Sequence, residues 1–351
     1  VLQQWLQQFI AASASGRRKM PNGKPLSAGV LVNYRHALQV LQEFDEMQGE
    51  PSAMPLAYRT TKALVQQQRS FWKSWIANFL QYLYKQRHYS DQMAANICRV
   101  IKTALSHAYR EQGLPIGSFY RGLRVPILSA TPIVLLPEQL AFLIHDTAFH
   151  QQLPSHLQQS KDLFVFGCST GLRVGDLMRL TASHLVTQGN SVTLHCPTRK
   201  TGSVVYIPLP PYCLDIIARQ RQQKGRFLFR RLCNTNFNLH LKAIGRRAGW
   251  CSPTPKYRSI KGVLQEIKTP SGATWPFYQH LSAHTMRRTA ISTLLMMGVN
   301  ENVVRRISGH APGSKEFYRY VVLAQSYMDG QVRQAFDKLV NDPGCYHNPQ
   351  P

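Results

Sequence analysis

The sequence predicts a mainly helical α+β protein with two domains. The N-terminal domain is helical; the C-terminal one is mixed, mostly helical, with a small antiparallel β-sheet. Three observations carry this. Residues 1–112 repeat apolar side chains every three to four positions, as amphipathic helices do. Residues 113–137 break that period with Gly113, Pro115, Gly117, Pro126, Pro132 and Pro137, which suit an extended linker better than a helix. Further on, SVTLHC (191–196) and VVYIPLP (204–210) alternate in period two. The expected division is 1–128, a linker at 129–136, and 137–351.

In chain order, 1–12 forms a short helix with Leu2, Trp5, Leu6 and Phe9 on one face. GRRKMPNGKP (16–25) is a basic, turn-rich loop. Ser27 suits the cap of a helix running to about Gln48, with Val30, Tyr34, Leu38, Leu41 and Phe44 on its apolar side. After Pro51 and Pro55 come helical segments at 58–86, long enough to be broken, and 90–112, capped by Ser90. Their aromatics, Trp72, Trp75, Tyr82 and Tyr84, have the spacing of a bundle core. Lys73, Arg99 and Lys102 are candidates for contacts with phosphate on the basic outer face. The second half reads as helices at 137–150, 157–168 and 174–181, then the hairpin, then helices at 213–224, 235–248, 285–298, 300–308 and 315–340.

Charge points to the partner. Forty-two Lys and Arg face 17 Asp and Glu, a formal +25. Such an excess repels itself in a compact state unless a polyanion neutralises it, and nucleic acid is the expected polyanion. Seven scattered cysteines contain no CxxC pair, and no HExxH accompanies the 13 His, so neither a metal nor another cofactor is expected. Reduced thiols fit a cytoplasmic protein. No apolar run is long enough for a membrane span. The chain starts at Val1 without a signal pattern and reads as trimmed.

Four pieces of the second half carry chemistry. STGLRVGDLMRL (169–180) holds Arg173 after a Gly turn, with Asp176 three residues on; TRKTG places Lys200 at the hairpin tip. HTMRRT supplies His284 and Arg287, and SGHAPGSKEFYRYV supplies His310 with Tyr318 and Tyr320. The set suits attack on a phosphodiester. Two guanidiniums present planar forks to the non-bridging oxygens as charge builds there. His284 and Arg287 stand at i and i+3 and share a helix face. A lysine at a hairpin tip reaches a leaving oxygen, and a tyrosine in a cationic pocket supplies the nucleophile.

GLRxxD, a hairpin lysine, HxxR, GH and a downstream tyrosine, in that order, resemble the tyrosine recombinase or phage integrase family. HTMRRTAISTLLMMGVNENVVRRISGHAPGSKEFYRYV looks like the integrases of bacterial mobile elements. LSAGVLVNYRHALQVLQEF and FWKSWIANFLQYLY look like the family's SAM-like core-binding domain. The resemblance implies a DNA-embracing two-domain clamp and a site-specific recombinase acting in integration or excision through a 3′-phosphotyrosyl intermediate. It implies double-stranded DNA as partner, a homotetramer on DNA, DNA-bending accessory proteins, and a bacterial, nucleoid-associated location. Arg173 and Arg287 would hold the scissile phosphate, and His310 would hydrogen-bond to it. His284 would help accept the tyrosine proton, Lys200 would protonate the departing 5′ oxygen, and Asp176 would orient the site. A type IB topoisomerase and a non-catalytic DNA-binding protein of the same fold are the alternatives.

Plainer readings stand beside these. Asp176 suits a pair with a nearby arginine, Lys200 has Arg199 as neighbour in a solvated turn, and His284 suits a core position. Arg288, about 100° from Arg287 on a helix, suits a carboxylate partner or backbone phosphate. The nucleophile divides between Tyr318 and Tyr320, eight and ten residues after His310, with the family's usual spacing between them. If Phe317, Val321, Ala324, Met328 and Val332 form the packed stripe, Tyr320 flanks it at about 60° and Tyr318 lies about 100° to the other side. Tyr320 is preferred, with Tyr318 as fallback.

Overall fold

The structure, a computed structural model, describes residues 1–20, 23–58, 61–199, 202–220 and 226–341, with the side chains of 338, 339 and 341 left aside. It is mainly helical with small antiparallel sheets, as the sequence predicts. The chain folds into two compact units, one of 1–130 plus 257–267 and the other of 131–256 plus 268–351.

The first unit packs α1 (Leu2–Ala14), α2 (Ala28–Gln48), α3 (Lys62–Lys85) and α4 (Asp91–Arg110). The aromatic series of α3 faces inward as its spacing predicts. Trp72, Trp75, Phe79 and Tyr82 are all buried, Tyr84 is half-buried, and Trp75 stacks on Phe79 at 4.8 Å. Each large side chain buried this way contributes about 2–3 kcal/mol. The indole N–H groups are satisfied as well, Trp72 donating to the Ile116 carbonyl and Trp75 to the Ser52 hydroxyl. Helix α3 runs unbroken over 24 residues, its start fixed by Thr61, whose hydroxyl accepts from the Leu64 amide. Ser27 and Ser90 do stand at the N-caps of α2 and α4, but neither side chain makes a capping bond.

One element of this unit escapes the sequence reading. The strands Tyr257–Ile260 and Val263–Glu266 form a second hairpin (labelled β4 and β5), turned by Lys261 and Gly262 at φ 52° and 75°. Asp91, fully buried at the start of α4, holds it. The carboxylate accepts from the Tyr84 and Ser259 hydroxyls and from the Lys261 and Gly262 amides. Burial alone would raise its pKa; those four donors hold it below the usual value.

The second unit begins with α5 (Pro137–His145) and α6 (Thr147–Gln152), where the sequence predicts one helix. The break is at Asp146, whose carboxylate caps the Phe149 amide. Next come α7 (Ser155–Thr170) and a single turn, α8 (Val174–Leu177), shorter than the predicted 174–181. The sheet has three strands, not two. β1 (Leu185–Gln188) pairs antiparallel with β2 (Ser191–Pro197), which pairs with β3 (Val204–Pro208). The helices α9 (Pro211–Gln220), α10 (Asn234–Arg247), α11 (Ala283–Met296), α12 (Glu301–Ser308) and α13 (Lys315–Asn341) complete it. Helices α7 and α11 approach so closely that a Cβ on Gly167 would overlap Met286 Sδ.

Candidate active site

The α7–α11 contact positions the site. Gly171 ends α7 in the left-handed conformation at φ 66°, which a Cβ would strain, and the chain turns so that Arg173 becomes the N-cap of α8. On α11, Arg287 is 6% exposed and its guanidinium bonds to two backbone carbonyls, which leaves N–H donors over. It donates to Gly171 at 2.9 Å and also to Ser308. Burial, then the charge of Arg173, pulls its pKa down to about 10, so it stays cationic near neutrality.

Gly309 ends α12 at φ 61° and turns the chain back, so that the His310 amide bonds to the Arg305 carbonyl. The His310 Nδ1 sits 2.8 Å from the Ser308 hydroxyl. Burial, then Arg287 and Arg173, depresses His310 to about 4, leaving it neutral at pH 7. His284 keeps an exposed edge on α11 rather than a core position. Its pKa is also lowered, by the protein around it and then by Arg288, Arg287 and Arg173. A neutral imidazole at that place can accept a proton.

The packed stripe of α13 differs from the expected one. Phe317, Tyr320 and Ala324 are buried against Ile291, Leu295 and Val304, while Val332 is exposed. Tyr320 therefore sits in the stripe at 2% exposure, not beside it, and Tyr318 is 63% exposed. The Tyr320 and His310 rings lie 6.3 Å apart. Burial raises the phenol pKa; Arg288, Arg287 and Arg319 oppose that, and Glu316 adds to it. Tyr327 is turned away and bonds to Glu138. The structure thus brings Arg173, His284, Arg287, His310 and Tyr320 together within one unit.

The phage integrase family profile matches residues 147–326, over half of the chain and inclusive of every residue just named. The chain belongs to the phage integrase family. It is a tyrosine recombinase, an enzyme that cuts and rejoins DNA strands. No curated protein matches it in sequence. Its fold is similar to that of a lambda integrase dimer bound to a COC′ core site, at TM-score 0.58 and 15% identity over 91% of this chain and 94% of that one. It is similar also to the Tn1549 transposon integrase in complex with circular intermediate DNA, at TM-score 0.56 and 16% identity over 91% and 94%. A third likeness is to the XerH site-specific recombinase bound to difH substrate, at TM-score 0.55 and 14% identity over 91% and 92%.

In this integrase Asp176 is buried and pairs with Arg179 at 2.8 Å, the plainer of its two expected roles. The same oxygen accepts from the Arg199 amide at 3.2 Å, so it also fixes the entry to the β2–β3 turn. Lys200 lies outside the described residues. Arg288 has no carboxylate partner among the described residues, and its Nε is buried without a hydrogen bond. Lys73 and Arg99 are exposed in the first unit, with Arg99 bonded to Asn96; Lys102 is half-buried. Two residues that the sequence reading missed belong to the site. Glu316 acts on His284, His310 and Tyr320, and its place four residues before Tyr320 was a usable signal. Ser308 touches both Arg287 and His310, and no spacing rule points to it.

Proposed function

We propose that this recombinase is site-specific and cuts DNA through a 3′-phosphotyrosyl intermediate formed by Tyr320, in the integration or excision of a mobile element. The observation that carries this reading is the burial of Tyr320 beside His310 under the charges of Arg287 and Arg288, with Tyr318 turned to solvent.

Arg173 and Arg287 hold the scissile phosphate and stabilise the charge that builds on its non-bridging oxygens. His310 hydrogen-bonds to it. His284, neutral near pH 7, accepts the phenol proton as Tyr320 Oη attacks phosphorus. Lys200 protonates the departing 5′ oxygen, and Asp176 orients the turn from which it reaches. The first unit acts as the core-binding domain and the second as the catalytic domain, joined near 129–136. Lys73, Arg99, Lys102 and Arg288 neutralise DNA phosphates. The partner is double-stranded DNA, with DNA-bending accessory proteins, in a bacterial cytoplasm at the nucleoid. Helix α13 favours a tetramer on DNA. Its distal half exposes Val332, Phe336 and Val340 at four-residue spacing, an apolar stripe suited to a neighbouring copy.

Trapping on a nicked suicide duplex, followed by mass mapping of the linked peptide, tests the reading. The expected adduct is on Tyr320. An adduct on another residue overturns the nucleophile, and DNA binding without any adduct favours a non-catalytic binding protein.

A further inference from the structure

The Ser308 hydroxyl meets three groups at once. It lies 2.6 Å from the Val304 carbonyl, 3.3 Å from the Arg305 carbonyl and 2.8 Å from Nδ1 of His310. A hydroxyl carries one hydrogen, and carbonyls only accept. Two oxygens at 2.6 Å repel each other unless that hydrogen lies between them. It therefore points at Val304, and toward His310 the oxygen presents a lone pair. Nδ1 must then be the protonated ring nitrogen. A neutral histidine has only one such hydrogen, so Nε2 is bare. The backbone of the same residue is committed too, since its carbonyl accepts the Arg287 guanidinium. At 2% exposure Ser308 has no room to exchange these partners for water.

We propose that Ser308 is a positioning residue that locks His310 in its Nδ1–H tautomer, so that Nε2 becomes a donor only by taking up a proton when a phosphate docks. This rests on the reading of His310 as a phosphate-facing group. The groups around it supply the logic. Arg287 on α11 and Arg173 at the α7–α8 turn face it, as do Arg305 on α12 and Glu316 and Tyr320 on α13. With the site empty, burial and then the three arginines outweigh the one carboxylate, and the ring stays neutral. An incoming phosphate offsets Arg173 and Arg287 and removes that repulsion. Nε2 then gains a proton from solvent and donates it in a hydrogen bond to a non-bridging oxygen. The Nδ1–H bond to Ser308 is kept in both states. His310 thus passes from acceptor to charged donor without turning its ring.

Histidine-selective nitrogen NMR of the full chain tests this, with the His310 signals assigned by their loss in His310→Asn. In phosphate-free solution at neutral pH, Nδ1 is expected to carry the hydrogen and Nε2 to be bare. The probe is inorganic phosphate, raised until it increases the melting temperature. It should move Nε2 to the protonated position and raise the His310 midpoint by at least about one pH unit, tenfold in the protonated fraction. Ser308→Thr should keep the wild-type signals, and Ser308→Ala should mix the tautomers. A bare Nδ1 with a protonated Nε2 in the phosphate-free chain overturns the proposal, as does a Ser308→Ala spectrum equal to wild type. Bound phosphate that leaves Nε2 bare overturns the proton uptake. None of these signals depends on Tyr320, so a missing tyrosine adduct would sink the nucleophile reading and leave the nitrogen result to stand or fall separately.

Discussion

Arg287 donates to the Gly171 carbonyl at 2.9 Å, across 116 residues of chain. Two motifs that are separate in sequence are thereby one structural unit: the turn that places Arg173 is held by the other arginine of the proposed phosphate grip. Gly171→Ala should act through this bond. The left-handed φ of 66° costs a Cβ-bearing residue about 1 kcal/mol, and the added methyl meets Ala290 at 3.3 Å. The carbonyl then shifts, and strand cleavage should fall by roughly tenfold or more while DNA affinity holds within about threefold. Equal loss of binding and cleavage would show that the turn serves the DNA interface and not the reacting phosphate.

Tyr320→Phe should keep DNA binding and abolish the covalent adduct, whereas Tyr318→Phe should cleave at close to the wild-type rate. Gel mobility of the protein–DNA adduct under denaturing conditions reads both. The expectation follows from exposure, 2% against 63%. It also follows from charge, since Arg288 and Arg287 act on the Tyr320 phenol. An adduct surviving in Tyr320→Phe and lost in Tyr318→Phe would reverse the assignment.

The site histidines give stability a pH dependence of definite sign. Burial and the arginines push His310 to about 4 and also lower His284, against an unfolded value of about 6.5. Between those values the unfolded chain binds more protons than the folded one, so stability rises with pH there and falls as the solution is acidified. Urea midpoints measured from about pH 7 down to pH 4.5 should decline, and His310→Asn should flatten that decline. A midpoint that rises on acidification would contradict the depressed values.

Gly167→Ala tests the helix contact that carries the site. The added methyl overlaps Met286 Sδ and lies 3.1 Å from both Cβ and Cγ of that residue. Overpacking of this kind costs about 1–3 kcal/mol. Met286 immediately precedes Arg287, so cleavage should drop along with stability. A variant with wild-type melting behaviour would show that α7 and α11 can separate more freely than their packing indicates.

Asp91→Asn should loosen the second hairpin. An amide keeps only one accepting oxygen, and its N–H₂ opposes whichever of the Lys261 and Gly262 amides had bonded to the other. Leaving buried donors unsatisfied costs about 1–3 kcal/mol. Hydrogen exchange at those two amides should speed by about tenfold per 1.4 kcal/mol lost. Unchanged protection would mean that the strand pairing alone holds the hairpin.

Local chemistry explains which features the sequence disclosed. The aromatics of α3 repeat with the helical period, so their burial was legible, and so was the alternation of β2 and β3. β1 and the second hairpin were not. They are four-residue strands, LVTQ, YRSI and VLQE, too short for a period to show. The predicted stripe on α13 included Val332, because sequence alone does not say where the rest of the unit stops covering that helix.

The sequence by itself determined the family, the mainly helical fold, the basic character and the residue types of the proposed phosphate grip. Charge count, motif order and spacing are properties of the chain and need no third dimension. Only the tertiary structure decided that Tyr320 is enclosed while Tyr318 faces water. It alone decided that Gly171, Arg287 and Ser308 are bonded together, and that His310 is held neutral. Those outcomes depend on burial and on charges brought within reach by packing, and neither quantity exists until distant segments meet.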